Sequence, residues 1–193
     1  MYTWRHNQVL EVLSETLNAH CNAVNAKPAS MTASGMQFIR EGKPPPRAKR
    51  QGKHLRLLCG ASDWKVRTDL GSALRFPDHI TLTNERPDIV IWSDSLKRVL
   101  LIELTVPWEG NMEYAYERKK TRYETLRSQC EERGWSCHVL PVEVGCRGFV
   151  ARSMSSLFAQ IGLSSCDTRK TNRSLQCAAE RASCWIWTRA RKS

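Results

Sequence analysis

The sequence predicts an α/β fold, and three observations carry that expectation. Apolar residues recur at helical spacing in the first segment, runs rich in Val, Ile and Leu fill the middle, and helical stretches separate and follow the last of those runs. The element order is helix, three strands, helix, strand, helix, with a further basic helical segment at the end. A chain of 193 residues buries one sizeable core, so a single domain over residues 1–193 is expected.

The first helix is expected over residues 4–24, with Thr3 as N-cap and Val9, Leu10, Leu13 and Leu17 on one buried side. Residues 27–53 lose that periodicity and gather "GKPPPRAKRQGK", whose prolines exclude a helix and whose cations repel one another. This reads as an exposed basic loop, with a DNA-tracking arm or a nuclear-import signal as alternatives. Strand-like segments follow, in part over 54–66, then over 80–92 with a break near Asn84, then over 98–106. The short "SDSLKR" makes the last two an antiparallel hairpin. A long helix over 109–133 ends at Gly134, "WSCHVLPVEVG" returns as a strand, and a helix spans 151–161. Residues 164–193 form a basic C-terminal helix packed on the core or extending from it.

Charge is unevenly spread. Residues 1–39 balance, 68–146 carry ten basic against thirteen acidic side chains, and the segments 40–67 and 147–193 each carry nine against two, within a total of +11. A basic surface favours a polyanion, because each neutralised phosphate releases counterions; a merely soluble, basic surface is the alternative. The eight cysteines form no CxxC pair, and no paired histidines stand at finger spacing, so reduced, mostly buried thiols are expected rather than zinc or disulfides. No run reaches the roughly 20 apolar residues that cross a bilayer, and the first residues lack a secretory pattern. A soluble nuclear or cytoplasmic protein, neither secreted nor bound to a membrane, is the expectation.

The chemistry centres on "RPDIVIWSDSLKRVLLIELTVPWE", residues 86–109, where two acids interrupt strands made for burial. Alternation puts Glu103 and Thr105 on one face with Val99 and Leu101, and Asp88 on one face with Val90 and Trp92. If the hairpin joins those faces, the carboxylates converge, and close carboxylates need a cation or proton between them. Mg²⁺ suits such a place, since it takes few carboxylates and meets substrate phosphates. Otherwise Asp88 is a turn or strand-edge acid and Glu103 an ion-pair partner of Arg86 or Arg98. On the long helix, Met112, Tyr116, Lys119, Tyr123, Leu126 and Cys130 follow a buried stripe that Lys119 interrupts. That lysine either meets a phosphate or snorkels past its neighbours.

The Pro-Asp, fourteen intervening residues and an acid in an apolar strand, in this element order, resemble the PD-(D/E)xK nuclease superfamily. The blocks "WRHNQV", "RPDIVIW", "LIELTVPWE" and "YERKKTRYETL" resemble the restriction-like endonuclease domain of site-specific non-LTR retrotransposons and related retroelement-derived animal proteins. The segments "VEVGCRGF" and "AERASCWIW" extend that resemblance over residues 4–187. It implies a restriction-endonuclease-like core, a mixed central sheet flanked by helices. It also implies Asp88, Glu103 and the Leu104 carbonyl as Mg²⁺ ligands, with Mn²⁺ as a substitute, and Lys119 as the catalytic lysine. Thr105 stands where the superfamily usually has a lysine. The domain is normally preceded by a reverse transcriptase and a zinc knuckle, so the chain resembles the nuclease tail of a larger element or a remnant of one.

The function implied is Mg²⁺-dependent DNA nicking by phosphodiester hydrolysis, with DNA as partner and RNA or a reverse transcriptase module as further ones. Arg5, His6 and Arg147 are candidate nucleic-acid contacts, Arg147 in a turn that Gly145 and Gly148 permit. Two other classes remain open: an inactive nucleic-acid-binding remnant, and a protein-interaction module anchored on Trp108, Trp185 and Trp187.

Overall fold

A computed structural model describes residues 2–27, 56–108, 110, 117, 119 and 121–191. Among them the helices are α1 (Tyr2–Asn25), α2 (Glu124–Glu132), α3 (Arg152–Ile161) and α4 (Ser165–Ala190). The strands are β1 (Lys65–Thr68), β2 (Ile89–Ser93), β3 (Arg98–Thr105) and β4 (Ser136–Glu143), in one sheet of order β1-β2-β3-β4. β1 and β2 pair antiparallel, as do β2 and β3, whereas β4 runs parallel to β3. The protein is therefore mixed α/β, with helices on both faces of a mixed sheet.

Strand alternation sorts the core into two layers. Ile89, Ile91, Leu100, Ile102 and Leu104 pack with Leu10, Leu13 and Leu17 of α1, Phe158 of α3 and Leu175 of α4. On the other face Val90, Trp92, Val99 and Leu101 pack with Tyr123 and with Leu126 and Cys130 of α2. α1 places Val9, Leu10, Leu13, Leu17 and Cys21 inward at steps of one, three and four, as its spacing predicts. Burial raises the Cys21 thiol to about 12.

The hairpin over β2 and β3 forms where alternation places it, and Lys97 takes a left-handed turn conformation at φ 47°. Other expectations shift. The first strand is Lys65–Thr68 alone, since the residues before it make turns and an anchor: Asn25 of α1 brackets the Trp64 backbone on both sides. The second strand is Ile89–Ser93, because Ile80, although buried, closes a turn by donating its N–H to the Pro77 carbonyl at 3.0 Å. The long helix is interrupted at Tyr123, a turn residue that precedes α2, while residues 117, 119, 121 and 122 are helical. Apart from Lys27, the basic loop lies outside the described residues, as do Met112 and Tyr116 of the stripe.

All eight cysteines are free thiols, but only Cys21, Cys130, Cys137 and Cys146 are buried, so the mostly buried expectation holds for half of them. Cys59, Cys166 and Cys184 lie in or beside turns and on helix surface, where a small side chain meets water. No helix among the described residues is long and apolar enough to cross a membrane.

β4 is the last strand of the sheet, with Pro141 opposite Glu103. The Val144 N–H reaches back to the Thr105 carbonyl at 3.0 Å, while the Glu143 carbonyl faces the other way and accepts from Ala151 at 3.1 Å. β4 therefore alternates its backbone groups between β3 and the outer side, and Pro141 shares the outward set with Glu143.

Candidate functional site

Pairing of Ile89 with Ile102 sets Asp88, one residue ahead of β2, beside Glu103 of β3. The Asp88 N–H donates to Glu103 Oε2 at 3.2 Å, and the Leu104 N–H donates to Asp88 Oδ2 at 2.8 Å. The Asp88 carbonyl accepts from the Asp69 N–H at 2.8 Å, at the end of β1. Backbone groups thus fix both acids at one end of the hairpin, before any side chain is considered.

Glu103 is only 2% exposed and is surrounded by donors. The Lys119 ammonium is hydrogen-bonded to Oε1, the Tyr123 hydroxyl donates to Oε2 at 2.9 Å, and an Arg122 nitrogen lies 3.8 Å from Oε1. Burial and the neighbouring Asp88 charge push the Glu103 carboxyl above the usual carboxylate range, against the opposing pull of Lys119 and Tyr123. Lys119 therefore leaves the solvated course open to a helical lysine and ends on the acid. Arg98 instead donates to the Leu57 carbonyl at 2.7 Å, and it is the carbonyl of Arg86 that the Tyr123 hydroxyl also reaches.

The other side of the cluster comes from α1. His6 Nε2 lies 3.2 Å from Asp88 Oδ2 and 3.2 Å from the Leu104 carbonyl oxygen, so one ring nitrogen faces two acceptors. Burial lowers the imidazole pKa, but the Asp88 hydrogen bond and charge outweigh it and leave His6 raised. His6 thus lies in the acid cluster, and Arg5 beside it donates to the Val106 carbonyl at 3.2 Å and to Ser183 Oγ at 3.3 Å. Arg147, in the turn after β4, holds its guanidinium 5.1 Å from the centre of the Trp108 ring.

The oxygens able to meet a hard cation are those of Asp88, Glu103 and the Leu104 carbonyl, the first and last already aimed at a common donor. Among the described residues no three His, Cys, Asp or Glu side chains form a ready cation cage. On the same sheet face, Thr105 pairs in register with Glu143, which is 2% exposed and accepts from Ser153 Oγ at 2.5 Å. Thr105 Oγ1 and Glu143 Oε1 are both buried without a hydrogen-bond partner. Glu143 lines a cleft of about 600 Å³ between β4 and α3.

Sequence reasoning brings Asp88, Glu103, Leu104 and Lys119 to one place, and it misses Tyr123, Arg122 and Glu143. Tyr123 was legible as a buried stripe position, and a phenol in a core needs a polar partner. Glu143 sits in a strand of otherwise apolar alternation, the same signal that marked Glu103. No family model matches the chain, and no curated protein matches it either.

Proposed function

We propose that the protein is a metal-dependent endonuclease of the PD-(D/E)xK type, nicking DNA by phosphodiester hydrolysis, as its resemblance to retroelement endonuclease domains implies. The observation that supports this best is the convergence of Asp88, Glu103, Lys119 and His6 at one end of the hairpin. Buried acids in an apolar sheet are costly unless cations meet them. A chain of +11 whose acidic side chains concentrate in one middle segment, residues 68–146, and whose flanks are basic suits a polyanionic substrate.

The donor chemistry fits Mg²⁺ or Mn²⁺: two carboxylates and a carbonyl are hard oxygen ligands, and few carboxylates leave room for water and phosphate. Asp88, Glu103 and Leu104 would hold the ion. Bound there, it would supply Lewis acidity toward the phosphate and a water of lowered pKa. Lys119 brings a cation to the developing negative charge of the transition state. Tyr123 and the Asp88 N–H hold Glu103 in one orientation, and the backbone of Leu104 does the same for Asp88. His6, with Nε2 facing both Asp88 Oδ2 and the Leu104 carbonyl, is placed to donate to these two acceptors.

The experiment is nicking of supercoiled plasmid with Mg²⁺ or Mn²⁺ by wild type, Asp88→Ala and Glu103→Ala. Metal-dependent nicking lost in both variants, with DNA binding retained, is the expected outcome. A folded wild type that binds DNA without nicking it would establish the second reading, an inert nucleic-acid-binding remnant. That reading is favoured by Thr105 in the usual lysine position and by a Glu103 whose two oxygens are already taken by donors.

A further inference from the structure

Large aromatic side chains gather in water around the same end of β3. Trp108 is 61%, Phe149 60% and Trp187 59% exposed, at positions where a soluble domain gains nothing from an indole or phenyl ring. They belong to three separate segments that a continuous set of contacts ties together. Trp4 of α1 packs against Trp185 of α4 with ring centroids 4.3 Å apart. Ser183 of α4 donates to the Cys146 carbonyl at 2.5 Å, and the Cys146 N–H donates to the Pro107 carbonyl at 2.9 Å. Arg5 bridges Ser183 to Val106, and the next residue, His6, touches Asp88. The aromatic rim and the acid cluster are thus two sides of one short stretch of α1.

Trp108, Trp185 and Trp187 each also have a guanidinium over the ring. Arg147 stands 5.1 Å from the Trp108 centroid, Arg189 4.7 Å from Trp185 and Arg191 4.1 Å from Trp187. Trp185 is held between Trp4 and Arg189 and acts as the fixed member, whereas Trp108 and Trp187 turn most of their surface outward. Flat π-faces interleaved with cations match the alternation of bases and phosphates in a single strand. A duplex hides its base faces in the stack and offers such a rim only phosphates. The segment 147–193, with nine basic side chains against two acidic, supplies the same sign of charge over a wider surface.

We propose that Trp108, Phe149 and Trp187, with Arg147 and Arg191, form a stacking rim that holds unpaired nucleic acid beside the acid cluster. The proposal rests on the nucleic-acid reading above and narrows its substrate to a strand with an unpaired segment next to the phosphate to be cut.

The test is binding by the full chain in EDTA, so that no cleavage enters, read by tryptophan fluorescence and by anisotropy of labelled probes. The probes are oligothymidine of about 20 nucleotides and a mixed-sequence duplex of the same length, and single-strand affinity about tenfold or more above duplex affinity is expected. The double variant Trp108→Ala/Trp187→Ala should lose about tenfold or more of the oligothymidine affinity and little of the duplex affinity, with an unchanged melting curve because both rings are exposed. Equal binding of the two probes, or oligothymidine binding by the variant as tight as wild type, overturns the rim. So does a wild-type dimer that the variant dissolves while oligothymidine affinity stays constant, since the rings then join two copies. Absence of nicking alongside intact single-strand preference sinks the nuclease reading alone, and nicking without that preference sinks the rim alone.

Discussion

Of the carboxyl groups on the described residues, that of Glu143 keeps one oxygen buried without a hydrogen-bond partner, next to a Thr105 hydroxyl in the same condition. Burial raises this carboxyl above its ordinary value of 4.5, with the Ser153 hydrogen bond only partly opposing it. The folded state then holds the proton more tightly than the unfolded state does. The stability so gained is complete below the unfolded pKa and is lost as pH rises through the folded one. Glu143→Gln, neutral throughout, should therefore melt higher than wild type at pH 7, and the difference should shrink toward pH 4; thermal melts at both pH values measure it. A fixed difference at the two pH values would mean that Glu143 does not titrate differently on folding. Single residues were also where sequence was least informative. Alternation exposed Glu103 as an acid in an apolar strand, but which side-chain donors reach it depends on Lys119, Arg122 and Tyr123, which only tertiary packing brings near.

At the level of elements, local chemistry decides two of the helix boundaries. α4 begins where Ser164 Oγ accepts the Asp167 N–H at 3.1 Å, and α3 ends at Gly162 in the left-handed region at φ 84°. Gly162→Ala should cost about 1–2 kcal/mol, because a side chain disfavours that backbone conformation. Its Cβ would also stand 2.7 Å from Cδ of Arg56, a flexible neighbour that can move aside. Chemical denaturation monitored by circular dichroism reads the loss, and an unchanged midpoint would remove the capping argument. The hairpin and the three later helical segments were legible because strand alternation, helical spacing and Gly134 act over a few positions, whereas Thr3, expected as the N-cap of the first helix, lies inside α1. β1 was blurred because four residues of half-exposed character carry little pattern, and the extent of β2 was overstated because burial of Ile80 and Thr81 looks the same in a turn as in a strand.

For the whole molecule, the arrangement of charge matters more than the total. The acids cluster in the middle of the chain, around the hairpin, while the last segment adds seven net positive charges. If nucleic acid is the partner, duplex affinity should fall steeply with salt, by about a thousandfold between 50 and 200 mM for six phosphate contacts. Anisotropy titrations across that range would show it, and a flat profile would point to a partner recognised without phosphates. The mixed sheet has its own consequence at this scale. Among the described residues β4 is the outermost strand on its side of the sheet, and Pro141 turns its nitrogen, which has no hydrogen to give, to the outer side. A neighbouring molecule trying to extend the sheet there would meet a missing rung. The protein thereby resists polymerising through the very strand that completes its core.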